Sequence, residues 1–82
     1  MKLELKYKCE NTGYARKYYE TEYNGKKYSI VIINEKEFDE ICTATRDGEP
    51  FAPLKDGIEI IIDGKKYKTE KKTDVVTIIK EV

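Results

Sequence analysis

The chain has no histidine, no tryptophan and no glutamine, and it contains only two cysteines and two prolines among its 82 residues. Without histidine there is no imidazole to act as a general base or to activate a serine or cysteine nucleophile. Two cysteines with no histidine cannot complete a four-ligand zinc site. The sequence therefore predicts a protein that is not an enzyme, with no catalytic residue, no metal site and no cofactor.

An excess of charge and a long hydrophobic segment are also lacking. The 16 basic and 16 acidic side chains cancel, which argues against a general binder of polyanions. The longest apolar runs span 30–33 and 60–62, far too short to cross a membrane. The first residues alternate between charged and apolar, so they do not form the apolar core of a signal peptide. We expect a soluble, cytoplasmic protein whose residues 1–82 form one small domain.

The two cysteines, Cys9 and Cys42, both occur in phase with the apolar residues of their segments. Because the cytosol keeps thiols reduced, this pattern favours two buried free thiols. A disulfide that joins the first strand to a helix is the alternative, and the sequence does not decide between the two.

Alternation of apolar and charged residues is the main pattern in the chain, and it predicts β-strands. Residues 2–10 alternate strictly, and the residues on one face are Leu3, Leu5, Tyr7 and Cys9. Residues 74–82 carry apolar side chains on both sides of the predicted strand. We expect this closing strand to lie in the middle of a sheet.

Two short turns predict two β-hairpins. Asn-Gly at 24–25 lies inside the segment 16–33, and Asp-Gly at 63–64 lies inside 58–70. Both dipeptides suit the type I′ turn, which needs a positive φ at both central residues. The two-residue loops fix which residues lie opposite each other: Tyr19 and Ile30, Thr21 and Tyr28, and Ile60 and Tyr67.

Residues 34–48 predict a short helix. Asn34 is a good N-cap and Glu37 follows three residues later, as in a capping box. An apolar stripe then recurs at helical spacing, formed by Phe38, Ile41, Cys42 and Thr45. The predicted fold is therefore α+β and mainly antiparallel, in the order β-β-β-α-β-β-β, as a curled sheet or small open barrel with one short helix.

Five residues are candidates for a partner-binding surface. Tyr14 and Tyr18 do not follow the pattern of the core tyrosines, and Arg16 lies between them. Exposed tyrosine and arginine are common anchors of protein interfaces. Phe51 and Leu54, in a long loop with two prolines, either pin that loop or add an apolar contact. The alternative that the tyrosines cover an open face of the sheet is left open.

With no catalytic group in view, the sequence predicts a non-enzymatic protein-interaction domain. Lysine outnumbers arginine 14 to 2, a bias that a heat-loving organism or an AT-rich genome would produce. Small size and this bias motivate a concrete version, a phage- or mobile-element-encoded inhibitor that binds and occludes a larger host enzyme. A homodimer formed by edge-strand pairing is a further expectation that the residues do not decide.

The alternative function is nucleic-acid binding by a small β-barrel with a lysine-rich hairpin. The candidate residues are Lys65, Lys66, Lys68, Lys71 and Lys72, with Tyr67 among them. Small barrels that bind single strands combine lysines with stacking aromatic rings. Against this function, arginine is scarce, Tyr67 is predicted to face inward, and lysine at a hairpin also protects strand edges from aggregation.

Overall fold

The computed structural model describes residues 1–11, 13, 15–34, 39–55 and 57–82, and within these ranges the chain is all-β. Its strands are β1 (Lys2–Asn11), β2 (Arg16–Tyr23), β3 (Lys26–Asn34), β4 (Asp39–Arg46), β5 (Glu49–Pro50), β6 (Glu59–Ile62), β7 (Lys65–Lys71) and β8 (Thr77–Glu81). None of the described residues belongs to a helix with the length and apolar character that crossing a membrane requires.

The strands form a closed barrel. They follow the order β3-β2-β1-β6-β7-β8-β4, and β4 pairs back with β3 to close the ring. The short strand β5 is an additional member that pairs with β4 beside β8. Neighbouring strands are antiparallel except β1 and β6, which are parallel. Closure pairs strands that would otherwise lie at the two edges of a sheet.

Both predicted hairpins are confirmed with their registers. Tyr19 pairs with Ile30 in the first hairpin, and Ile60 pairs with Tyr67 in the second. The first turn has φ values of 52° at Asn24 and 75° at Gly25, the left-handed pair that a type I′ turn needs. The predicted closing strand is also confirmed, since β8 lies between β7 and β4.

The barrel interior is filled by aliphatic side chains with two tyrosines and an alanine. The buried cluster consists of Leu3, Leu5, Tyr19, Tyr28, Ile30, Ile32, Ile41, Ala44, Ile58, Ile60 and Ile79. Ile30 on β3 and Ile60 on β6 are fully buried, and each belongs to one of the two hairpins. The period-two pattern of the sequence thus places one face of each strand in a shared core.

The predicted helix over 34–48 is wrong where the structure describes the chain, because residues 39–46 form strand β4. Glu37 and Phe38, which carried part of the helical pattern, lie outside the described residues. The fold over the described residues is therefore all-β instead of the predicted α+β, and the barrel is closed instead of open. The predicted order β-β-β-α-β-β-β is replaced by the eight strands given above.

A β-bulge interrupts the alternation of β4. Ile41 and Ala44 are buried inside the barrel, whereas Cys42 and Thr43 between them are both exposed. The bulge inserts one extra residue opposite β3, so the inward residues are three positions apart instead of two. Cys42, a member of the predicted helical stripe, is the extra residue and is exposed, so the stripe does not form one buried face. The β-branched residues of this segment are better suited to a strand.

The cysteines are free, and both are exposed. Their expected burial is wrong, because a second bulge in β1 shifts the register between Tyr7 and Cys9 and turns Cys9 outward. Cys42 is exposed within the bulge of β4. Strands β2 and β3 lie between the strands that carry the two cysteines. The thiols are not joined, so the alternative of a disulfide does not hold.

One end of the barrel is plugged by the segment that leads from β5 to β6. The Phe51 ring packs edge-on against Tyr28, with 5.4 Å between the ring centres. The guanidinium carbon of Arg46 lies 5.6 Å from the centre of the Phe51 ring. Pro53 and Ile58 are buried at the same end. The opposite end has no such covering segment among the described residues.

Candidate functional site

The end of the barrel that no described residue plugs contains a cavity of about 240 Å³, which we call the mouth. Its lining comes from β2, β3, β4 and the β6–β7 hairpin and consists of Lys17, Tyr19, Ile32, Asn34, Asp39, Ile62, Asp63, Lys65 and Tyr67. The lining residues within the strands are on the inward-facing side of each strand, at the end where the apolar core stops. The mouth therefore has an apolar base, tyrosine walls and a charged rim.

Two contacts organise the rim of the mouth. The amide Nδ2 of Asn34 donates a hydrogen bond to Oδ1 of Asp39 over 2.6 Å, which ties the end of β3 to the start of β4. The Tyr7 ring packs edge-on against Tyr19, with 6.0 Å between the ring centres. Tyr19 is buried, but Tyr7 is 57% exposed. Tyr7 thus extends the tyrosine wall beyond the cavity into solvent.

Burial and nearby acidic groups act on the two tyrosines of the wall. Burial is the first cause that raises the pKa of Tyr19 above its ordinary value of 10.0, and Asp63 and Asp39 raise it further by repelling the phenolate. The pKa of Tyr7 is also raised, first by desolvation and then by Glu10 and Cys9. Both tyrosines therefore keep their phenolic protons at neutral pH.

Strand β1 changes its neighbour part-way along its length. Its pairing with β6 ends at Leu5, where β6 turns back at Asp63. Its pairing with β2 begins at Lys6 and continues to Asn11. Across the part of the chain that the structure describes, residues 7–11 have a strand partner on the β2 side alone. This segment, which we call the free edge, is the longest unpaired strand edge in the described structure.

The alternation of hydrogen bonds indicates which backbone groups the free edge presents. In a hairpin with a two-residue turn, the residues that flank the turn are hydrogen-bonded to each other, here Tyr23 and Lys26. Even-numbered residues of β2 consequently bond to β1. With the bulge at Lys8 taken into account, Tyr7 and Glu10 direct their N–H and C=O groups away from β2. Among the described residues, no other strand pairs with these groups.

The opposite side of β1 borders a second cleft. Below Lys6 the strands β1 and β2 separate, and a cleft of about 390 Å³ opens between them. On the adjoining outer surface, Nζ of Lys27 lies 3.2 Å from Oε2 of Glu20, and Nζ of Lys8 lies 3.5 Å from it. The hydrogen bond from Lys27 is the first cause that lowers the pKa of Glu20. Lys8, Glu20 and Lys27 therefore satisfy one another's charges beside the cleft.

The predicted partner-binding residues lie at both ends of the barrel. Tyr14 lies outside the described residues. Arg16 and Tyr18 are half-buried on β2 near the mouth, and Tyr18 pairs with Cys9 beside the free edge. Phe51 and Leu54 are half-buried in the plug at the opposite end. The structure therefore brings Arg16 and Tyr18 together and separates them from the other two by about the length of β2.

The five lysines of the alternative nucleic-acid site do not form one continuous basic surface. Lys65 lines the mouth, whereas Lys66 and Lys68 are exposed on β7. Glu59 lies opposite Lys68, and Lys71 pairs with Asp74 at 3.5 Å. Lys72 follows the end of β7, and Tyr67 lies in the wall of the mouth instead of on the outer surface. Acidic groups thus interrupt the lysine pattern.

Sequence reasoning missed the mouth and the free edge. Tyr7 appeared as a core residue, and Asp39 and Asp63 appeared as a helix-start charge and a turn residue. One signal was present in the sequence. The first segment of alternating apolar residues, which forms β1, is about twice as long as the segment around Ile60, which forms β6. A long strand beside a short one must leave part of its edge unpaired, but the sequence did not indicate that these two strands are neighbours.

Within the described ranges, no group of Cys, Asp and Glu side chains has an arrangement that could hold a metal ion. Neither a protein-family model, nor a curated protein, nor a solved structure matches the chain. Function must therefore be inferred from the geometry of the mouth and of the free edge.

Proposed function

We propose that the protein is a non-enzymatic protein-interaction domain that binds an extended peptide segment of a larger partner by β-strand addition at the free edge. The observation that carries this proposal is the strand β1, whose residues 7–11 have a partner on one side only among the described residues. An added strand gains main-chain hydrogen bonds from the edge, and its side chains supply specificity.

The surroundings of the free edge support this proposal. Residues 7–10 are all exposed, so a peptide can reach the edge without displacing another segment of the described chain. Tyr18 lies one strand away on the outer face and Arg16 lies at the end of the same strand, which would provide interface contacts beside the added strand. The bulge and the charges of Lys8 and Glu10 oppose uncontrolled self-pairing, as in other natural sheet edges.

In its most concrete form, the partner is a larger enzyme that the bound domain occludes, as a phage- or mobile-element-encoded inhibitor would do. The lack of histidine supports a role based on shape and surface instead of chemistry. A second copy of the chain is the alternative occupant of the edge, and it would be detected as a concentration-dependent dimer.

The free edge can be tested by removing one outward N–H group. Glu10→Pro deletes the N–H that faces the edge but leaves the β1–β2 hydrogen bonds intact, since proline is tolerated at strand edges. The probe is a displayed library of random linear peptides selected against the full chain. We expect the selected peptides to alternate β-branched residues and to lose at least about tenfold in affinity for Glu10→Pro, roughly 1.4 kcal/mol.

Glu10→Ala is the matched control, because it removes the same carboxylate and keeps the N–H group. Its affinity for the selected peptides should stay close to that of the unaltered chain. Selected peptides that bind Glu10→Pro and the unaltered chain equally would contradict strand addition, as would a selection that yields no binder. Thermal unfolding of both variants checks that the fold is retained.

The nucleic-acid alternative is tested with the same protein and a single-stranded oligonucleotide at two salt concentrations. Binding through lysines releases counterions, so it should weaken steeply as salt rises. Binding of that kind would favour the alternative, and its loss in a Lys66→Ala, Lys68→Ala double variant would assign it to β7.

A further inference from the structure

The mouth lies on the inner side of the free edge. Tyr7 belongs to the edge, and its ring is in contact with Tyr19, which lines the mouth. Side chains of a strand alternate between its two faces. A strand added beside residues 7–11 would therefore direct every second side chain toward the mouth and the others toward the outer surface near Tyr18.

The size of the mouth limits what it can hold. Its volume of about 240 Å³ is below the range of about 300–1,000 Å³ that is usual for pockets of drug-sized ligands. Its lining includes the apolar side chains of Ile32 and Ile62 and the aromatic side chains of Tyr19 and Tyr67. Such a cavity suits one long side chain with an apolar stem better than a cofactor or a nucleotide.

The mouth carries two carboxylates and two ammonium groups, which differ in how far they reach into water. Asp39 and Asp63 carry their carboxylates on short side chains, and Asn34 fixes the position of Asp39. Lys17 and Lys65 also belong to the rim, but both are exposed, and their long stems let the ammonium groups extend into water.

Two acidic groups act on the buried tyrosine in the wall of the mouth. Burial is the first cause that raises the pKa of Tyr19, and Asp63 and Asp39 then raise it further. The two carboxylates therefore lie near the wall that Tyr19 forms.

We infer that the mouth binds one cationic side chain, that of lysine or arginine, carried by the peptide added at the free edge. The stem of this side chain lies against the faces of Tyr19 and Tyr67, and its charge is directed toward Asp39 and Asp63. Aromatic rings attract cations through their negative faces. This inference rests on the proposed function for the source of the side chain, but the mouth itself can be tested without a peptide strand.

The test titrates the isotope-labelled full chain with single blocked amino acids and follows its NMR spectrum. The probes are Nα-acetyl-lysine N-methylamide, the arginine equivalent and the neutral norleucine equivalent. We expect saturable shifts at Tyr19, Tyr67 and Asp63 with at least one cationic probe. The norleucine probe should bind at least about tenfold more weakly, because it keeps the stem and lacks the charge.

Asp63→Asn is the test variant, because asparagine keeps the left-handed turn and removes the charge. It should weaken the cationic probe several-fold and leave norleucine unchanged. The matched control is Asp74→Asn, which removes the charge of an exposed aspartate that pairs with Lys71 and should not affect binding.

Equal affinity for norleucine and for the cationic probes would overturn the inference, and so would equal weakening by Asp63→Asn and Asp74→Asn. The probes are too short to add a strand, so their failure would leave peptide capture that depends on the Glu10 N–H untouched. Conversely, cation binding in the mouth with peptides that bind Glu10→Pro normally would retain the mouth and reject strand addition.

Discussion

At the scale of single residues, Phe51 connects the plug to the barrel interior. Its ring contacts Tyr28 and Arg46, and its backbone N–H donates to the carbonyl oxygen of Ala44 over 3.2 Å. We predict that Phe51→Ala lowers the free energy of unfolding by about 2 kcal/mol, somewhat less than for a fully buried phenylalanine. Urea denaturation monitored by circular dichroism measures the change.

Val75 provides a matched comparison for Phe51, because it is 91% exposed. Val75→Ala should change the stability by less than about 0.5 kcal/mol, as is usual for an exposed surface position. If Phe51→Ala were as mild as Val75→Ala, the plug would contribute little to the fold. Phe51 would then be available to a partner, as its position in a loop predicts.

At the scale of strands, the two bulges determine the environment of the thiols. We predict that Cys9 and Cys42 both react with a disulfide reagent in the folded protein, at rates within about tenfold of those in urea, because both side chains are exposed. The absorbance of the released thiolate measures the reaction. The single variants Cys9→Ser and Cys42→Ser assign the rates, and strong protection of either thiol would contradict the bulge that exposes it.

The strands also indicate how far sequence reasoning reaches. Hairpin registers were predictable, because Asn24-Gly25 and Asp63-Gly64 fix them locally and burial excludes a slip by one residue. The bulges were not predictable, because one extra residue leaves no mark in the composition. It also reverses the inward or outward direction of all later side chains in the strand. In β4 the extra residue leaves the inward Ile41 and Ala44 three positions apart, which departs from the strand period of two.

At the scale of the whole molecule, the missing information was which distant strands are neighbours. Parallel pairing of β1 with β6 joins Leu3 to Ile60 across most of the chain, and no local turn specifies such a contact. The free edge exists only because β1 extends beyond the end of β6, its parallel neighbour. The mouth likewise gathers Tyr19, Asp39 and Asp63 from separate hairpins. The candidate site was therefore less predictable than the strands that build it.

Closure of the barrel depends on β8, which pairs with β7 on one side and with β4 on the other. Ile78 and Ile79 are both buried in this strand, and burying one isoleucine side chain contributes about 1.5–3 kcal/mol. Removing residues 77–82 would lose both side chains and expose two strand edges. Since small domains are stable by only about 5–15 kcal/mol, we predict that the truncated chain no longer unfolds cooperatively in urea.

Two milder variants make this prediction about closure decisive. Ile79→Ala should stay folded and lose about 2–4 kcal/mol, as buried isoleucines do. Deleting Val82 alone, which is 74% exposed and donates one backbone hydrogen bond to Lys66, should cost about 1 kcal/mol. A steep, unchanged urea transition in the chain without 77–82 would mean that the sheet is stable when open. The free edge of β1 would then be one of several edges that a partner strand could use.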